Sequence, residues 1–146
     1  MSWDVLLVPV PDDLESMDQL PADFDPEVVG TISEVHAALR SAVPDIGLGD
    51  PAWGEVMGPT WVIEVNIGTE DPVRSIMLHV RGGGDDVLPV VLTIARALGC
   101  GAIDLSTGDV LRTADPTGWH AFQAYRDQIM TAVQQDPAAQ PGPSGG

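Results

Sequence analysis

The residues with the most chemical potential lie on two neighbouring runs of alternating polarity. In Trp61-Val-Ile-Glu-Val-Asn-Ile67, Trp61, Ile63, Val65 and Ile67 alternate with Glu64 and Asn66, while between Val73 and Arg81 the apolar Ile76, Leu78 and Val80 alternate with Ser75, Met77, His79 and Arg81. A period of two is that of a strand with one face in a core and one face out of it. Paired as an antiparallel hairpin across Gly68-Thr-Glu-Asp-Pro72, the two runs put Glu64, Asn66, His79 and Arg81 on one mixed face. A carboxylate, a carboxamide, an imidazole and a guanidinium together can move a proton or hold a small polar molecule. The same four residues also make an ordinary solvated sheet face with cross-strand charge pairs.

Other chemistries find less support. Arg81-Gly-Gly-Gly-Asp-Asp86 has the strand–glycines–helix order that cradles phosphates, but it has no Gly-Lys-Ser/Thr ending, and Val87 stands where a dinucleotide fingerprint needs its third glycine. Asp85 and Asp86 occupy the positive end of the helix dipole themselves, so the segment reads as a tight turn and N-cap. His36, His79 and His120 fall in separate elements, and no metal-ligand spacing is present; neither a metal nor a cofactor is expected. Cys100, the one cysteine, sits between Gly99 and Gly101 as a small packing residue and can close no internal disulfide.

Charge narrows the partners. Twenty-two acids face six basic residues, all arginine, for a formal charge of −16 over 146 residues. Such a chain repels nucleic acid and anionic membranes, both of which are bound through Lys and Arg. The charge is uneven: residues 1–39 hold nine acids and no Arg or Lys (−9), and the other 107 hold thirteen acids and six arginines (−7). Most of the excess lies on the connection that carries Asp12, Asp13, Glu15, Asp18, Asp23, Asp25 and Glu27, interleaved with Leu14, Met17, Leu20 and Phe24. Trp53, at a loop-to-strand junction, is the tryptophan suited to anchor a partner, whereas Trp3, Trp61 and Trp119 fall on expected core faces.

The elements that must position these residues read as follows. Trp3 to Val10 is nearly continuous apolar, as in a central strand buried on both faces. Thr31-Ile-Ser-Glu34 has capping-box spacing before a helix that Pro44 stops, and residues 45–51, with two glycines and a proline, read as loop. Strands are expected at 53–57, 61–67, 73–81 and 102–106. A second helix, capped by Asp86, runs to Gly99, and a third opens at Asp115-Pro116 with Trp119, Phe122, Ile129 and Val133 on its apolar face. The fold class is α+β in the order βαβββαβα: a mainly antiparallel sheet of about five strands, two helices packed on one face and a third C-terminal helix. Residues 1–134 form one domain, and the Pro/Gly-rich 135–146 a disordered tail. No signal peptide or membrane span is readable, which points to the cytoplasm, and the sheet edges leave a homodimer open.

Ser2-Trp-Asp4, Trp61-Val-Ile-Glu-Val-Asn-Ile-Gly68 and Met77-Leu-His-Val-Arg-Gly-Gly-Gly84 together resemble a widespread small bacterial α+β domain family with no assigned activity. The resemblance spans most of residues 2–130 and carries no functional residue with it. Two readings follow. In the first the chain is a non-enzymatic, acidic binding protein of the immunity or inhibitor type for a basic protein, using Asp12, Asp13, Glu15, Asp18, Asp23, Asp25 and Trp53. In the second it binds or transforms a small molecule with Glu64, Asn66, His79 and Arg81. A flat acidic surface favours the first, and a deep pocket at His79 the second.

Overall fold

The apolar run at the N-terminus finds neighbours on both sides. In the computed structural model, which describes residues 1–135, β1 (Trp3–Val8) pairs with β5 (Ile76–Gly82) on one side and with β6 (Gly101–Asp104) on the other. β2 (Gly47–Asp50), β3 (Trp53–Met57) and β4 (Trp61–Asn66) continue the sheet beyond β5, and β7 (Val110–Leu111) closes it beyond β6. Every pairing is antiparallel and the strand order is β2-β3-β4-β5-β1-β6-β7. The architecture is α+β with three helices, α1 (Ile32–Ala42), α2 (Val87–Ala97) and α3 (Thr117–Gln135), so the described elements run βαββββαββα with seven strands. This corrects the expected five strands and their order. The additional strands are the two edges: β2, within the segment read as loop, and β7, two residues long. An edge strand can be held by backbone pairing alone, so glycine-rich, largely exposed β2 shows no alternation to read. Of the expected tail, 135–146, Gln135 ends α3 and residues 136–146 lie outside the described residues.

The core occupies one face of the sheet. Trp3, Val5, Leu7, Ile63, Val65, Ile76, Leu78 and Val80 are buried against Val35 and Leu39 of α1, against Val87, Val91 and Ile94 of α2, and against Trp119 of α3. α1 begins in a closed capping box: Thr31 Oγ1 accepts from the Glu34 N–H at 3.1 Å, and Glu34 Oε1 accepts from the Thr31 N–H at 2.8 Å. These bonds, that from the Thr31 backbone first, hold the Glu34 carboxyl below its usual range. α2 differs from expectation at its start, because Asp86 makes no side-chain cap; its backbone is already helical and its carboxylate accepts the Trp61 indole N–H at 3.0 Å.

Gly82 and Gly84 take positive φ (96° and 95°), and a Cβ at Gly82 would collide with the Thr60 carbonyl. The turn thereby offers its carbonyls to the protein: Thr60 Oγ1 donates to Gly83 O at 2.9 Å, Trp119 Nε1 to Gly84 O at 3.1 Å and Arg126 Nη1 to Gly82 O at 2.7 Å. Trp119 also packs on Trp3, with ring centroids 5.3 Å apart. Only the first turns of α3 reach the core: Trp119 is fully buried and Phe122 partly so, while Ile129, expected on the apolar face, is exposed along with Tyr125 and Met130.

On the second face the acidic connection crosses part of the sheet. Met17 N–H donates to Gly108 O at 2.9 Å and Val110 N–H to Glu15 O at 2.9 Å at one end, and Val29 and Gly30 pair with Val73 at the other. Leu14 is buried, and Met17, Leu20 and Phe24 lie over Leu6, Val8 and Val10 around a cavity of about 520 Å³. Asp12, Asp13, Glu15, Asp18, Asp23, Asp25 and Glu27 are left exposed. No described helix is long and apolar enough to cross a membrane.

Trp119→Ala should therefore lower the unfolding free energy in urea by about 3–5 kcal/mol, whereas Ile129→Ala, on the exposed half of the same helix, should cost less than about 1 kcal/mol. Equal losses would contradict the packing described.

Candidate functional site

The register of four adjacent strands lines up four titratable residues on the face away from the helices. Asp4 of β1 lies opposite His79 of β5, His79 opposite Glu64 of β4, and Glu64 opposite Glu55 of β3. Alternation then places Arg81 opposite Val62, and Val62 opposite Met57, in the neighbouring row of this face. On the other side Trp53, Asn66, Met77 and Leu6 succeed one another across the same strands. The acidic connection covers the sheet at Leu6 and Val8 but leaves the row from Glu55 to Asp4 open.

Within the row each partner is specific. His79 Nδ1 and Asp4 Oδ1 are 2.8 Å apart, and Asp4 Oδ1 also accepts from Ser2 Oγ at 2.6 Å. The Trp53 indole stacks on the His79 imidazole, with centroids 6.2 Å apart and planes at 28°. Arg81 pairs with Glu64. Glu55 faces Glu64 directly and has no ion-pair partner among the described residues. Beside it a shallow trough of about 420 Å³ is lined by Trp53, Asp50, Glu55 and Glu64, with Gly47 and Gly49 leaving its β2 wall bare. Trp53 is 42% exposed there.

The structure thus brings Glu64, His79 and Arg81 together and sets Asn66 one row away, opposite Met77. It also joins residues that the sequence reading kept apart, since Trp53 stacks on His79. The acids of the connection form a separate, exposed group, with Asp12 at a cavity beside the last turns of α2. Asp4, Asp50 and Glu55 went unnoticed as site residues. Asp4 and Glu55 carry the period-two signal, each standing between apolar or buried neighbours, but only the strand order reveals which residues they face.

A carboxylate on Nδ1 fixes the orientation of an imidazole, as in acid–base catalysts. Among the described residues no nucleophile bonds this imidazole: Ser2 bonds Asp4 rather than His79, and Cys100 is elsewhere, its thiol pushed up to about 12 by burial. No group of three or more His, Cys, Asp or Glu is arranged to hold a metal ion among the described residues. At the glycine turn, Asp85 faces His120 at 2.7 Å and Asp86 holds Trp61. The chain matches no protein-family model, no curated protein and no solved structure.

Two like charges directly opposite on adjacent strands are destabilising. Glu55→Gln should therefore raise stability by about 0.2–1 kcal/mol, seen as a higher urea midpoint at unchanged slope. A loss of stability would mean that Glu55 has a structural partner after all.

Proposed function

We propose that this protein is an acidic, non-enzymatic binding protein of the immunity or inhibitor kind that docks a basic protein on the open half of its sheet. The observation that carries the reading is Trp53, 42% exposed in a shallow trough whose ionisable walls, Asp50, Glu55 and Glu64, are all acidic. Tryptophan is among the residue types enriched at interface hot spots, and the rim of an interface is polar. An indole in a trough with carboxylates suits Arg or Lys side chains through cation–π contact on the face not stacked on His79 and through ion pairing. The exposed acids of the connection add to the negative field and favour fast, salt-sensitive association. The formal charge of −16 speaks against nucleic acid as the partner. We place the protein in the cytoplasm and relate it to the bacterial family that its Ser-Trp-Asp opening resembles.

A second reading rests on the Asp4–His79 contact of 2.8 Å, which orients an imidazole beside Arg81 and would serve a small-molecule ligand. The open trough makes it the weaker of the two. Unchanged ligand binding or turnover in a His79→Ala, Arg81→Ala double variant would remove it.

For the first reading, the full-length protein and its Trp53→Ala and Glu55→Lys variants are used side by side as bait at low and high salt. The wild type should retain a basic protein that both variants lose. Against the purified partner, Trp53→Ala should weaken binding by about 2 kcal/mol, roughly thirtyfold. High salt and Glu55→Lys should act mainly by slowing association. Retention of no basic protein at low salt, or equal retention by all three baits, would sink the proposal.

A further inference from the structure

Cations are scarce in this chain, yet two of its six arginines line one cavity. It lies between the last turns of α2 and the β6–β7 edge and has a volume of about 360 Å³, within the range of small-molecule sites. Val10, Leu92, Ala95 and Leu111 supply apolar wall, and Arg96 and Arg112 supply charge. We propose that this cavity binds a small organic monoanion with an apolar body, an aliphatic or aromatic carboxylate, independently of the docking face.

Neither guanidinium is paired with a carboxylate among the described residues. Arg112 is held in place, because its Nη2 donates to Pro11 O at 3.4 Å and to Leu14 O. Among the described residues no hydrogen bond or ion pair occupies the guanidinium of Arg96, which is exposed in the last turn of α2. Two charges oppose an anion: Asp12, on the lining, and the C-terminal end of α2, which Arg96 offsets from its own last turn. Two cations against one carboxylate make the lining net positive in a protein that is otherwise strongly negative. Cys100, also on the wall, adds no charge because burial keeps its thiol protonated. An apolar body with one carboxylate satisfies both kinds of wall, and charge-assisted bonds to arginine supply the selectivity.

The test is a titration of the full-length protein with benzoate and with its neutral isostere benzamide, followed by amide chemical shifts in NMR. Benzoate should give saturable shifts centred on Gly99–Ala102 and Val110–Arg112, and benzamide should bind at least about tenfold more weakly. Arg96→Gln should weaken benzoate by about tenfold, with Arg96→Lys in between. An unchanged spectrum away from the cavity would confirm that each variant is folded, as expected for an exposed residue. Shifts that never saturate, benzamide binding as tightly as benzoate, or full affinity in Arg96→Gln would each overturn the site.

Discussion

A sheet has two faces, and in this protein the helices build the core on only one of them. The helical side buries Trp3, Val5 and Leu7 of β1 with their neighbours on β4 and β5. The other side carries Leu6, Val8 and Ile103, each worth about 1.5–3 kcal/mol if taken out of water. The connection between β1 and α1 meets that demand by laying Met17, Leu20 and Phe24 over Leu6 and Val8, and Leu14 and Ile103 are themselves buried. A segment that turns its apolar residues inward must turn the residues between them outward. The seven exposed acids from Asp12 to Glu27 are therefore both the consequence of covering the sheet and the source of its negative field.

The cover stops short of β4 and β3, and the remaining surface is tolerable only because it is polar. Asp4, His79, Glu64 and Glu55 stand there in one row. Two of its contacts are favourable, Asp4 with His79 and Glu64 with Arg81, and one, Glu55 against Glu64, is not. Partly exposed pairs of this kind contribute about 0–1 kcal/mol each. The row does little for stability, which rests on the core of the other face. In the proposed reading its composition serves a partner that brings positive charge.

The hairpin that carries Glu64, His79 and Arg81 was legible because period two is a local signal and only nine residues link its strands. The capping box at Thr31 and the stop at Gly99 are equally local, and both occur where the residues indicate. Asp4 could not be paired with His79 in the same way: β1 inserts between β5 and β6, and 75 positions separate the two side chains that meet. Glu55 and Asp50 escaped for a related reason, since their place beside Glu64 depends on the meander from β2 to β4 and on an edge strand with no hydrophobic pattern. In α3 the apolar spacing continues past the point where the core ends, so periodicity alone overstated what Ile129 buries.

The glycine turn joins the two faces. β5 presents His79 and Arg81 on the open side and then ends in Gly82–Gly84, whose carbonyls accept from Thr60, Trp119 and Arg126. A phosphate cradle needs free amides aimed outward. Here the Gly83 amide is taken by Thr60 O, and the following aspartates face His120 and Trp61. The turn instead fixes the end of β5 against the β3–β4 link and against the buried first turns of α3. The strand that carries the centre of the open face is thereby tied to the core on the opposite side. A surface held in this way has little conformational freedom to lose on docking, and in binding such preorganisation, with hot-spot quality and charge complementarity, separates tight complexes from weak ones more than contact area does.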